Sequence, residues 1–385
     1  MFTRLNVKDD SASLGDSDQT TFLLPNSRAI SEMLLVVRAK NAATHNASDA
    51  CAAETVLEAL ERIEVRTGDR VFKSYSADVA MALATYRAGR EPYCNLTQVA
   101  GGTYPTGWQE IAIPIQFNRF GEDPLCGLPA PLYTGLELSL KYDFDTTDAG
   151  GKTAFLTGAA NHRYDLYAEM MPHMHETSLR NLKVLTNLKR QNYTTRANGS
   201  DLINLTTSPH KHLRNVLVRA YKTGVQEGTL FEELDILVDG DVIMEDTFRH
   251  WQNRNAEDCE LSFMRKVHTK AQTTDDIYYS GIPDAEVTNQ AESSNVHTAY
   301  FAVTGDQISM DANAGGGYVA DELGELFIRS NVIPATAIID FDRNLSMNDL
   351  LNINVSKMHL RVLNSGADGA AEIHEAFCEP AILPM

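Results

Sequence analysis

The chain has 385 residues and a mass of 42.5 kDa, enough for two domains that each bury a core. Its 33 basic side chains against 52 acidic ones give a net charge of −19, a polyanion that repels phosphate backbones and argues against direct nucleic-acid binding. No stretch approaches the roughly 18 consecutive apolar residues of a membrane helix, which excludes a helical membrane span.

The first residues, Met1 to Ser11, hold no apolar leader, so synthesis in a cytoplasm is expected. The Asn-x-Thr triplets at Asn192 and Asn204 then carry no weight. Five cysteines, Cys51, Cys94, Cys126, Cys259 and Cys378, are scattered without a CxxC pair, and free, buried thiols are expected.

In chain order, Met33 to Val37 reads as a strand, Ser76 to Arg87 as a short helix capped by Ser76 or Asp78 and stopped at Gly89, and Ile111 to Phe117 as a strand. The clearest strand is Gly135 to Phe144, apolar at every second position. Further strands are expected at Val216 to Val218, Ile236 to Met244, Thr336 to Phe341 and Ile353 to Val362, and short helices at Asp246 to Asn253 and Val319 to Ile328. Turn-rich stretches such as Asp148-Ala149-Gly150-Gly151 and Asn364-Ser365-Gly366 separate them, the spacing of β-sandwiches.

A weak internal repeat organises these elements. Val36-Val37-Arg38-Ala39-Lys40 matches Leu217-Val218-Arg219-Ala220-Tyr221, and Ile63 to Asp69 matches Ile236 to Asp241, each followed by a strand and a short helix. Ile113 to Arg119 then resembles Ala337 to Arg343, the Leu136 strand resembles Ile353 to Met358, and each half closes on a strand running into proline, at Pro172 and Pro380. The offset between matched residues grows in the second half, which places an insertion there.

The expected organisation is an N-terminal arm over 1–25, a first domain over 26–172, a linker over 173–209 and a second domain over 210–385, with a tower-like loop insertion at about 255–330 that holds the Gly315-Gly316-Gly317 run. The basic residues Arg180, Lys183, Lys189, Arg190 and Arg196 read as a solvated face of that linker.

Chemistry-bearing patterns are sparse. His173-Met174-His175 and His210-Lys211-His212 have strand spacing for a metal but lack the glycine and downstream glutamate of a cupin site, and read as solvated linker residues. Gly151-Lys152-Thr153 lacks the leading glycine of a phosphate loop and reads as a hairpin turn, while Asp143, Asp145 and Asp148 lack the spacing of a calcium loop. Acidic pairs such as Asp321-Glu322 neither support nor exclude a glycosidase. No catalytic, cofactor-binding or metal-ligating residue is assigned, no cofactor is expected, and no enzyme activity is expected.

The stretch Ile111-Ala112-Ile113-Pro114-Ile115-Gln116-Phe117, then Gly127-Leu128-Pro129, Pro131-Leu132-Tyr133 and the alternating strand, resembles the hallmark of the double jelly-roll major capsid proteins of tailless icosahedral viruses. The aromatic cluster of eukaryotic-virus members is missing and Gln116 stands in the strand, which fits a phage or archaeal-virus type.

The resemblance implies an all-β chain of two tandem eight-stranded antiparallel jelly rolls with short decorating helices. It further implies pseudo-hexagonal homotrimers in a virion shell, contacts to neighbouring trimers, penton and minor capsid proteins, and in some members an internal membrane. Two other readings stand beside it: a carbohydrate-binding or carbohydrate-active β-sandwich, for which Trp108 and Trp251 are thin provision, and another virion component such as a spike or penton.

Overall fold

Alternation decides the strands. Trp108 to Gln116 buries every second side chain without a break, as does Met358 to Asn364, because one face meets a core and the other does not. The computed structural model describes residues 5–42, 55–98, 107–119, 123–146, 153–158, 160–195, 199–208, 210–221, 230–270, 276–279, 286–291, 300–304, 307–311, 323–330, 333, 335–342, 357–364 and 369–382.

The first half comprises β1 (Leu5–Leu14), β2 (Ser17–Leu23), β3 (Ile30–Lys40), α1 (Val56–Ala59), β4 (Arg62–Thr67), β5 (Arg70–Tyr75), α2 (Ala77–Ala88), β6 (Cys94–Gln98), β7 (Trp108–Gln116), β8 (Leu136–Asp143) and β9 (His162–Met170). Two four-stranded antiparallel sets face each other, in the orders β1-β9-β3-β7 and β2-β8-β4-β5. Between them Leu35, Val37, Ile63, Ile113, Leu138, Leu140 and Phe144 are fully buried. Burying each such side chain contributes about 1.5–3 kcal/mol. Pro114 is tolerated in β7 because that strand pairs fully only with β3; β6 meets it only at Ile111 and Glu110.

The second half repeats this plan with α3 (Glu176–Asn181), β10 (Lys183–Thr195), β11 (Gly199–Asn204), β12 (His212–Tyr221), β13 (Phe231–Val238), β14 (Asp241–Thr247) and α4 (Phe248–Asp258). There follow β15 (Phe263–Lys270), β16 (Asp276–Tyr279), β17 (Glu286–Ala291), β18 (Tyr300–Thr304), β19 (Gln307–Asp311), β20 (Leu323–Ser330), β21 (Thr336–Asp340), β22 (Met358–Asn364) and β23 (Gly369–Pro380). The sets are β10-β23-β12-β21 and β11-β22-β13-β14, the same connectivity strand for strand. Trp251 of α4 is buried in this second core and donates its indole N–H to Leu234 O at 3.0 Å. Each set of eight strands is a jelly roll.

The structure changes several expectations. Within the expected 1–25 arm, β1 pairs with β9 along its length and β2 pairs with β8. Within the expected 173–209 linker lie α3, β10 and β11, with β10 paired to β23 and β11 to β22. β10 is polar over Lys189 to Asn192 because it is exposed on both faces there, and its pairing with β23 selects the extended form.

Where Val319 to Ile328 was expected to be helical, Leu323–Ser330 is the strand β20, paired with β15 and β17, so sheet pairing overrides local pattern. The insertion lies between β14 and β21, and strands fill much of it: β15, β17 and β20 extend the first roll's sheet, while β16, β18 and β19 form a small sheet. Gly151-Lys152, Asp148, Arg196, Cys51, Asp321-Glu322, the Gly315 run and Ile353 to Ser356 lie outside the described residues.

Candidate functional site: the seam between the rolls and the open strand edges

Strands buried on both faces mark where something covers the second face. Ile373 to Glu379 is buried at every position, and so is Val184 to Asn187, which puts the seam along β23 and β10. There β10 pairs in parallel with β5, Asn187 opposite Lys73 and Leu188 opposite Ser74, so one continuous eight-stranded sheet runs through both rolls. A second parallel pairing joins β15 to β6, Lys266 opposite Asn95 through Thr269 opposite Gln98.

Polar side chains lock this seam. Arg70 at the start of β5 donates to Pro380 O at 2.9 Å and to Ala381 O, sits 3.9 Å from the buried Glu379, and stacks over Phe72 at 4.9 Å. Tyr133 O–H also donates to Ala381 O, and Lys211 approaches Glu379 from the other side at 3.4 Å. Arg219 of β12 reaches Asp78 of α2 at 2.9 Å, and Tyr86 O–H donates to Thr336 O at 3.0 Å.

Gly89 ends α2 at φ 72°, where a Cβ would lie 2.9 Å from Cys259 O, so only glycine lets α2 pass the end of α4.

Buried ionisable groups cluster beside it. Arg119 and Asp123 form a buried pair at 2.7 Å; the hydrogen bond to Asp123 raises Arg119, while Asp123, which burial alone would push up, is held low by Arg119 and the Leu125 N–H. Cys126 and Cys378, far apart in sequence, come together with Leu185 in a small apolar pocket. Burial lowers His374, and Glu372, which burial alone would push up, is held down at about 2 by hydrogen bonds from His374 at 3.1 Å and Lys189 at 2.7 Å. Lys73 is lowered well below the usual lysine value by burial and then by Arg214 and Arg87.

The His pairs of the sequence lie around the start of α3 and the start of β12. His173 precedes α3, His175 caps it, His210 lies in a turn, and His212 opens β12 opposite Cys378. Asp143 and Asp145 are joined only by an Asp145 N–H bond to the Asp143 carboxylate at 3.1 Å. Among the described residues no group of three His, Cys, Asp or Glu side chains is arranged for a metal. Sequence reading missed the seam altogether; the only signal for it was the unbroken apolar and charged mixture of Ile373 to Glu379, which has no period.

Outward, β1 and β14 are both sheet edges. β14 is the counterpart of β5, the strand covered by β10, yet it is exposed along most of its length, with Val242 and Ile243 41% and 46% exposed. Leu202 on β11, at the opposite edge of the same sheet, is also exposed. Neither tryptophan is exposed: Trp251 is buried and Trp108 is half-buried under Lys40.

No protein-family model matches the sequence, and no curated protein matches it. Solved structures do match. The STIV MCP crystal structure aligns with 99% of this chain and 98% of its own at a TM-score of 0.58 and 11% identity. The major capsid protein P2 from bacteriophage PM2 aligns with 98% of this chain and 97% of its own at 0.54 and 10% identity. A chain of the Sulfolobus Turreted Icosahedral Virus structure aligns with 99% of this chain and 91% of its own at 0.59 and 10% identity. Matched over nearly its whole length, with two eight-stranded rolls of one connectivity joined through a shared sheet, the chain has the double jelly-roll fold of these capsid proteins.

Proposed function

We propose that this chain is the major coat subunit of an icosahedral virion, that it works as a homotrimer of pseudo-hexagonal outline, and that its role is structural. The observation that carries the reading is the unequal fate of two equivalent strands. Within the chain β5 is covered by β10, the first strand of the next roll; among the described residues no strand pairs with the outer edge of β14, its counterpart, or with that of β1, the counterpart of β10. A second copy placing its β1 edge against β14 repeats the internal contact. Such a head-to-tail contact closes into a ring when the rotation suits, and three copies with two rolls each give six similar walls. It also covers two strand edges that would otherwise invite aggregation.

The domain division we propose puts the boundary in the α3 segment, between β9 and β10, with β1 and β2 belonging to the first roll. Neighbouring trimers, penton and minor capsid proteins are the partners such a subunit would meet, and the virion is its location. The glycan-binding alternative loses support from the covered Trp108 and Trp251.

The test is native mass by light scattering after gel filtration, with negative-stain images. A particle near three times 42.5 kDa with hexagonal outlines is expected. A species that stays monomeric at every concentration and under assembly conditions would overturn the trimer and the edge-to-edge contact.

A further inference from the structure

Lys73 poses a problem that the described residues do not solve. It lies on β5 at the seam, 5% exposed, with its ammonium 5.4 Å from the centre of the Phe117 ring. Among the described residues no carboxylate or hydrogen-bond acceptor meets that ammonium. A buried charge without a partner is costly, so such groups are either neutral or paired with something.

The surroundings favour pairing. Lys73 lines a cavity of about 70 Å³ between the rolls, together with Arg87 of α2, Arg214 of β12, Thr186, Asn187 and Asn215, and one carboxylate, Asp340 of β21. Three cations therefore converge on one small space. The arginines have carboxylates nearby, Arg87 with Glu32 and Arg214 with Asp342, each at 3.6 Å. Thr186, Asn187 and Asn215 are at most 3% exposed, yet Thr186 Oγ1, Asn187 Nδ2 and Asn215 Oδ1 have no hydrogen-bond partner among the described residues. Buried polar atoms left unpaired in a native protein call for an occupant. The space exceeds the roughly 10–15 Å³ that one water needs.

We propose that this cavity binds one small inorganic anion per chain, at a site contributed by both rolls. The ammonium, guanidinium, amide and hydroxyl groups supply donors of the kind that bind oxyanions. Asn215 Oδ1 is an acceptor in the same lining, so an anion with a proton to give, hydrogen phosphate, fits better than a halide. The anion would pair Lys73 and tie β5, β10, β12 and α2 through a common ligand.

The test uses the full chain and sodium phosphate, with sodium chloride at matched ionic strength as the reference. Calorimetric titration is expected to give one phosphate site per chain, and the thermal midpoint to rise with phosphate and not with chloride. Lys73→Met, close in volume and uncharged, should fold, lose the phosphate-dependent rise, and be at least as stable as the parent without phosphate. Thr186→Val is the second variant, usable if the first does not fold, with apparent affinity lowered about tenfold for one lost donor to a charged ligand. Absence of phosphate binding, an equal rise with chloride, or unchanged affinity in either folded variant would overturn the site.

Discussion

Arg70→Met tests the seam most directly. The arginine reaches from the first roll to the end of β23, donating to Pro380 O and Ala381 O beside Glu379. Methionine keeps an aliphatic body over Phe72 but removes every donor. Hydrogen bonds made by a charged group contribute about 1.5–3 kcal/mol each. Ala381 O retains the Tyr133 O–H and Glu379 retains Lys211, so the loss is cushioned at about 2–4 kcal/mol. For a chain of this length that corresponds to a fall of roughly 2–5 °C in the thermal midpoint. Each roll carries one tryptophan, Trp108 on β7 and Trp251 on α4, so urea unfolding of the Trp108→Phe and Trp251→Phe backgrounds reads the rolls separately. The expected result is a lower midpoint for both rolls, with the two transitions drawn apart. A change below about 0.5 kcal/mol, within the ordinary range for a neutral surface substitution, with coincident transitions would refute the clamp.

Other outcomes follow from the same structure. Leu138→Asp puts a carboxylate into the fully buried core of the first roll, and loss of soluble folded protein is expected by circular dichroism; normal trimers from this variant would refute the strand assignment. Gly89→Ala is expected to cost at least about 1 kcal/mol in denaturant unfolding, from the left-handed backbone and the Cys259 O contact. Ile243→Asp should leave the unfolding midpoint within about 0.5 kcal/mol of the parent but reduce the particle to a monomer by light scattering. Burial pushes His162 down to about 4, so it is neutral when folded and gains a proton when unfolded below pH ~6.5; its contribution, on the order of 3 kcal/mol, is present above pH ~6.5 and lost as pH falls toward 4. His374 is lowered in the same direction, so stability against pH should decline over that window, and His162→Asn should flatten part of the slope.

Much of each roll was legible because its strands alternate. Met33, Leu35 and Val37, or Ile111, Ile113 and Ile115, announce one buried face, and the repeat matched β3 with β12, the β4-β5 hairpin with β13-β14, β7 with β21 and β9 with β23. The strands that escaped, β1, β2, β10 and β11, contain Asp9-Asp10, Thr20-Thr21 or Arg190-Gln191-Asn192, polar residues whose extended form is imposed by β9, β8, β23 and β22. The seam was not legible, because Lys73, Asn187 and Arg214 acquire meaning only when two distant segments meet.

The two parallel stitches have a mechanical consequence. A single stitch, β5 to β10, would be a hinge about which one roll could swing. The other stitch, β6 to β15, lies on the other sheet of the first roll and holds the insertion of the second roll, so a swing about the first stitch must also displace the strand held by the second. The pair resists torsion as a box section does, and load applied at one wall is carried as shear along hydrogen-bonded strands. A shell plate assembled from such boxes would bend at the joints between subunits before it bends within one.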